Sequence, residues 1–303
     1  MRTVFLGTSA FAVAVLRRLA ASDHRPVLVV TRPDRPRGRG RRLAAPPVAE
    51  AARELGIELV QPESVNADAA RQRIAAAAPD AVCVCAFGAL IKEPLLSEHR
   101  MLNVHPSLLP RWRGAAPTER AIMAGDAETG VSIMRLAAGL DSGPVCLQAA
   151  EPIQPDDTYG TLCERLQALG GELLVQALDT SPPCADQDEA LATYADKIGP
   201  EDRALDPARS PLELERTVRA LHPHIGARLA LGEGEWLGVR AAAAVEEAGA
   251  PAGLPPPGEL AVRDGRLLFG CAGGALELRI VQPPGGRPME AAAYVRGHPL
   301  ARA

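Results

Sequence analysis

Asn103-Val104-His105-Pro106-Ser107-Leu108-Leu109-Pro110-Arg111-Trp112-Arg113-Gly114-Ala115-Ala116-Pro117 is the stretch from which this chain is best read. It begins inside a short apolar run, Met101 to Val104, with the pattern of a strand. Side chains at i and i+2 of a strand point to the same face, so Asn103 and His105 can reach one reacting atom. Around this run the first half of the chain alternates strand and helix signals. Strands are predicted at Thr3 to Leu6, Pro26 to Val30, Ile57 to Val60, Asp80 to Cys85, Met101 to Val104 and Val131 to Leu136. Helix-period segments lie between most of them, the first from Phe11 to Leu19. This rhythm predicts an α/β fold with a mostly parallel sheet covered on both faces.

A second motif sharpens the first. Gly139-Leu140-Asp141-Ser142-Gly143 is a glycine-bounded turn that presents one carboxylate where the chain reverses. Amide, imidazole and carboxylate together point to acyl chemistry without a covalent nucleophile. Ser107 lacks a Gly-x-Ser-x-Gly elbow, and Pro106 before it disfavours the strained strand-to-helix turn that such a nucleophile needs. Gly7-Thr8-Ser9 after the first strand has the look of a phosphate loop, but a full Gly-x-Gly-x-x-Gly is missing and nucleotide binding is not supported.

The 303 residues with 47% hydrophobic content can form a full core, and at roughly 100 to 200 residues per domain they imply two domains. Aromatics are only 3%, so Ala, Leu and Val must fill that core. No apolar stretch approaches the roughly 20 residues of a membrane span, and Met1 to Gly7 leads into a strand, not a signal peptide; a cytoplasmic protein is expected. The six cysteines form no Cys-x-x-Cys pair and no zinc-ligand spacing with histidine, so no metal is expected. Cys83 and Cys85 share a strand face, where a thiol acts as a small hydrophobe.

The formal charge is −4, yet it is unevenly spread. Between Arg32 and Arg42 six arginines face one aspartate, in a loop that Pro and Gly are expected to keep out of helix and sheet. Such a local field concentrates a polyanion even on an acidic protein. A genome favouring arginine is a competing explanation, since the chain holds 31 Arg and two Lys, but composition does not explain the clustering.

Leu162, Leu166, Leu169 and Leu173 recur at helical spacing, with Asp157 or Thr158 as cap and an end near Asp179. A polar linker follows from Ser181 to about Ala204. Beyond it, one helix at Leu212 to Leu221 precedes short strands near Arg228 to Leu231, Trp236 to Ala242, Gly258 to Val262, Leu267 to Gly270 and Leu276 to Val281. Short strands with Gly and Pro at their turns predict a small β-barrel. His222-Pro223-His224 is a weak candidate for a metal pair because no third ligand accompanies it.

Asn103-x-His105, Ser107-Leu108-Leu109-Pro110 and the distant Asp141 together resemble the folate-dependent formyltransferases. Arg111 to Pro117, Tyr194-Ala195-Asp196-Lys197-Ile198 and Gln282 to Met289 resemble the branch of that family that modifies a tRNA. Pro106 departs from that branch and is associated more with the glycinamide ribonucleotide branch, while His222-Pro223-His224 departs from the aromatic sequence expected there. The resemblance implies a Rossmann-like catalytic domain at 1–180, a linker at 181–204 and an OB-like tRNA-binding barrel at 205–303. It implies transfer of the formyl group of 10-formyltetrahydrofolate, a co-substrate, to the α-amine of initiator methionyl-tRNA by a monomeric enzyme, with release of tetrahydrofolate. Asn103, His105 and Asp141 would be catalytic. Ser107, Leu108, Leu109 and Pro110, with a second wall from Phe87, Gly88, Leu90 and Ile91, would bind folate. Arg39 would read the tRNA acceptor stem with Arg35, Arg37, Arg41 and Arg42 in support. The same catalytic residues could instead serve an amino sugar nucleotide, glycinamide ribonucleotide or water, and a nucleic-acid-binding protein with an inactive core is a further alternative.

Overall fold

The structure is a computed structural model that describes residues 1–37, 42–232, 234–246 and 253–298, with Arg37 described by its backbone alone. The chain divides into two compact units. The first is Met1–Pro117, Glu128–Pro152 and Cys163–Ala195; the second is Thr118–Ala127, Ile153–Leu162 and Asp196–Ala303.

The first half runs β1 (Thr3–Gly7), α1 (Ala10–Ala20), β2 (Pro26–Val30), β3 (Arg35–Arg37), β4 (Arg42–Ala44), α2 (Pro47–Glu54), β5 (Glu58–Val60), α3 (Asp68–Ala76), β6 (Ala81–Cys85), α4 (Leu95–Glu98) and β7 (Met101–His105). It continues through β8 (Arg113–Gly114), α5 (Pro117–Ala124), β9 (Glu128–Arg135), β10 (Val145–Pro152), α6 (Tyr159–Thr180) and β11 (Tyr194–Ala195). Seven strands pair in the order β10-β9-β7-β6-β1-β2-β5. From β5 to β7 the pairing is parallel, whereas β9 and β10 are antiparallel additions at one edge. The central strands β1, β6 and β7 are buried at every position, as expected of a sheet covered on both faces. β10 is half exposed and alternates along its length, which is why its pattern is weaker in the sequence.

The arginine-rich segment differs from expectation. Arg35–Arg37 and Arg42–Ala44 pair as an antiparallel hairpin, with Pro36 opposite Leu43. A two-stranded ribbon tolerates Pro36 because the missing N–H can face solvent. The tip carrying Arg39 and Arg41 lies outside the described residues. The segment from Ser181 onward is also more than a linker. Ala185 bridges Val145 through two backbone hydrogen bonds of 2.8 and 2.9 Å, a short 3-10 turn covers Glu189–Leu191, and β11 pairs in parallel with β8.

The second half holds α7 (Pro211–Leu221), β12 (Ala227–Gly232), β13 (Glu235–Glu246), β14 (Leu260–Arg263), β15 (Arg266–Cys271), β16 (Gly274–Gln282), β17 (Met289–Glu290) and α8 (Ala291–Gly297). The strands form one curled antiparallel sheet in the order β12-β13-β16-β15-β14, with β17 on β16. Among the described residues β12 and β14 do not pair, so the expected OB-like barrel is a half-barrel. Its core includes Leu214, Val218 and Leu221 of α7 with Leu229, Leu237, Phe269, Leu276 and Leu278. Ser210 caps α7 in a capping box with Glu213.

Candidate active site

β7 places Asn103 and His105 at the carboxyl end of a parallel strand, the side of an open α/β sheet where ligands bind. Both side chains are nearly buried, at 9% and 4% exposure. His105 Nε2 lies 2.9 Å from the carbonyl oxygen of Trp112. A carbonyl can only accept, so Nε2 carries the hydrogen and the other ring nitrogen is left for chemistry. That nitrogen, Nδ1, is 3.7 Å from Asp141 Oδ2, slightly beyond hydrogen-bond reach. The same carboxylate oxygen accepts from the Gly114 N–H at 2.9 Å. The Asn103 amide makes no hydrogen bond to any described residue, in keeping with a donor held for a ligand.

The turn that carries Asp141 is tightly specified. Asp141 has φ +45°, a left-handed conformation that asparagine and aspartate tolerate better than most residues. Gly143 lies so close to the Arg135 carbonyl that an added Cβ would meet it at 1.9 Å. Two long-range contacts from one side chain converge on the turn, and a third holds that side chain. Gln187 Nε2 donates to Asp141 O at 2.8 Å and to Gly143 O at 2.7 Å. Gln187 Oε1 accepts from Arg113 Nε at 3.0 Å. Arg113 is 1% exposed and grips Glu189 through two hydrogen bonds of 2.8 and 2.7 Å. This fork holds the Glu189 carboxyl below its ordinary range.

The residues expected to bind folate separate into groups. Ser107 is fully buried, and its hydroxyl donates to Arg111 O at 2.6 Å, which commits it to the loop and removes it as a nucleophile. Its carbonyl and the Leu109 N–H meet the Ser132 hydroxyl, and Gln148 Nε2 donates to Leu109 O. Leu108 packs over Gly130, where an added Cβ would meet it at 2.6 Å, and Pro110 is half-buried. In the second wall, Phe87 and Ile91 are buried in the core with Leu6, Val30 and Val84, so their side chains stabilise the loop from below. Gly88 and Leu90 stay exposed, Leu90 at 67%. The loop is pinned by Thr8 Oγ1 donating to Phe87 O at 2.6 Å and by Arg32 donating to Gly88 O at 3.2 Å. Gly7-Thr8-Ser9 thus supports this loop.

Sequence reasoning missed Gln187, Arg113 and a disulfide between Cys146 and Cys184, which ties β10 to the segment carrying Gln187. Separations of 74 and 38 residues leave no periodic trace. Cys83 is buried and its thiol is pushed up to about 12 by desolvation; Cys85 is raised further by the same cause. His224 Nε2 donates to the Glu119 carboxylate at 2.9 Å and the ring stacks on Tyr159, while burial lowers the His222 pKa. Those contacts give His222-Pro223-His224 a packing role. Among the described residues no helix is long and apolar enough to cross a membrane.

Comparison with known proteins gives the lineage. Residues 1–178 match the Formyl transferase family and 197–299 its Formyl transferase, C-terminal domain. The methionyl-tRNA formyltransferase of Methylococcus capsulatus is 43% identical over 309 residues, covering 99% of this chain and 98% of that protein. The solved methionyl-tRNA formyltransferase of Clostridium thermocellum shares the fold at TM-score 0.60 and 12% identity, over 92% of this chain and 98% of its own. HypX from Aquifex aeolicus, solved with tetrahydrofolic acid, aligns at TM-score 0.63 and 18% identity over 97% of this chain and 47% of HypX. The chain belongs to the formyltransferase family, within the group of methionyl-tRNA formyltransferases.

Proposed function

We propose that this enzyme transfers the formyl group of 10-formyltetrahydrofolate to the α-amine of initiator methionyl-tRNA. The observation that carries the reading is the approach of His105 Nδ1 to Asp141 Oδ2 at 3.7 Å, where the β9–β10 turn meets the end of β7, the strand that also carries Asn103. Attack of the amine nitrogen on the formyl carbon forms a C–N bond and puts negative charge on the former carbonyl oxygen. Asn103 donates to that oxygen, and one such preorganised donor is worth about 3 to 4 kcal/mol of barrier. Asp141 takes the amine proton, directly or through a water, while its orientation is held by the Gly114 N–H. His105, whose Nε2–H is committed to Trp112, takes that proton from Asp141 at its free Nδ1 and delivers it to the leaving N10 nitrogen as the C–N10 bond breaks, which returns both side chains to their starting state. One proton leaves the amine and one reaches N10, so tetrahydrofolate and the formamide are released without net change in charge.

The Ser107-Leu108-Leu109-Pro110 segment, its backbone held by internal hydrogen bonds, supplies a rigid apolar surface for folate through the partly exposed Leu108 and Pro110, with Gly88 and Leu90 at the exposed rim. The arginine hairpin supplies the tRNA contacts. Arg35 and Arg42 lie on its two strands, and with Arg37, Arg39 and Arg41 of the same segment they give it a charge suited to phosphates. The test separates chemistry from binding. Asn103→Ala and His105→Ala are assayed for formyl-methionine formation and, separately, for folate binding by fluorescence. Loss of turnover by at least a hundredfold with folate affinity retained supports the assignment. Wild-type turnover in either variant contradicts it.

A further inference from the structure

We propose that Gln187, held by the buried Arg113, is a positioning residue for the carboxylate of Asp141. The inference rests on the reading of Asp141 as catalytic. Gln187 is used completely: both hydrogens of its amide go to carbonyls of the Asp141 turn, at 2.8 and 2.7 Å, and its oxygen accepts from Arg113 at 3.0 Å. A side-chain amide has two donors and one acceptor group, and here each has a partner. The two carbonyls belong to Asp141 and Gly143, so the amide spans the residue on either side of Ser142 and fixes the left-handed step at Asp141.

Arg113 explains why the amide cannot turn over. Its Nε–H faces Gln187 Oε1, and a flipped amide would bring donor against donor. The guanidinium is itself fixed by the two-pronged contact with Glu189 and by burial. The residues on either side of Arg113 act on the same pair of groups. The Trp112 carbonyl accepts from His105, and the Gly114 N–H donates to Asp141 Oδ2. Three consecutive residues therefore aim the imidazole, the carboxylate and the backbone beneath that carboxylate. The Asp141 carboxylate is kept 3.7 Å from His105 by a lattice of hydrogen bonds in which Gln187 links the 181–195 segment to two carbonyls of the turn.

A residue that acts by orienting Asp141 should change kcat and leave substrate affinity intact. Gln187→Met keeps the length of the side chain and removes both donors. Gln187→Glu also removes the donors while leaving an acceptor for Arg113, and it carries the comparison if the methionine variant does not fold. Each is expected to lower kcat about a hundredfold, as misplacement of a reacting group by about 1 Å does, with KM for both substrates within twofold. In an Asp141→Asn background, itself slowed at least a hundredfold, the same substitutions are expected to cause less than a twofold further loss, because groups acting as a unit are not additive. Wild-type kcat in both Gln187 variants overturns the positioning role and leaves Asp141 as assigned. Equal losses with and without the Asp141 carboxylate, or losses shared by KM, assign Gln187 to folding and also overturn it. Wild-type turnover of Asp141→Asn alone removes the premise.

Discussion

Two glycines bound the turn of Asp141, and the structure separates what each tolerates. At Gly143 an added Cβ would sit 1.9 Å from the Arg135 carbonyl oxygen, whereas real Cβ atoms essentially never come within 3.0 Å of a neighbour, so the backbone must yield by at least 1.1 Å. At Gly139 the obstacle, at 2.3 Å, is the hydroxyl of Ser142, the end of a side chain that can rotate away. Gly143→Ala should therefore shift the turn by about the distance that costs a hundredfold in rate, and the forced fit should destabilise the fold by about 1 to 3 kcal/mol. Gly139→Ala should stay within about 1 kcal/mol and a few-fold in rate. Initial rates of formylation and urea denaturation of the two variants, compared with the parent, provide the assay. Full activity and stability in Gly143→Ala, or equal losses in both variants, would refute the claim that this turn is fixed by close backbone packing against Arg135.

Other consequences can be checked separately. Without reductant, denatured protein should titrate four thiols, Cys83, Cys85, Cys163 and Cys271, and six after reduction. Opening the Cys146–Cys184 bridge, which spans 38 residues, should lower stability by about 3 to 4 kcal/mol on a chain-entropy estimate. The Cys83 thiol binds its proton more tightly in the folded state, up to about 12, than in the unfolded chain, near 9.0. Its contribution to stability is thus intact below that unfolded value and is lost as pH rises from there toward 12, so urea midpoints should fall above that unfolded value and less so in Cys83→Ala. Ser210→Ala removes the cap of α7 and should cost about 1 kcal/mol by the same assay. Arg39→Ala should raise KM for tRNA, leave KM for folate unchanged and reduce the salt dependence of tRNA binding by roughly 0.7 to 0.9 in the log–log slope.

The legible part of the fold was the part written in short-range patterns. The buried parallel strands are continuous apolar runs such as Ala81–Cys85, and the leucines of α6 repeat at helical spacing. Asn103 and His105 could be placed together because strand geometry alone puts i and i+2 on one face. β10 was not legible, since a half-exposed edge strand carries weak alternation, and the arginine hairpin was hidden because Pro and Gly read as breakers. Phe87 and Ile91 were expected as a pocket wall from the family resemblance, and their burial in the core shows that a loop with apolar residues can turn them inward. Gln187 and Arg113 escaped notice because hydrogen bonds across 74 residues follow from tertiary folding and not from any local preference.

The most direct measurement is formyl-methionine formation from 10-formyltetrahydrofolate with initiator and elongator methionyl-tRNA, each at matched concentration and salt. Formylation of the initiator at a rate at least a hundredfold above the elongator, abolished by His105→Ala, is the expected result. Folate turnover with no product on either tRNA, or transfer to a small amine in their place, would contradict the assignment.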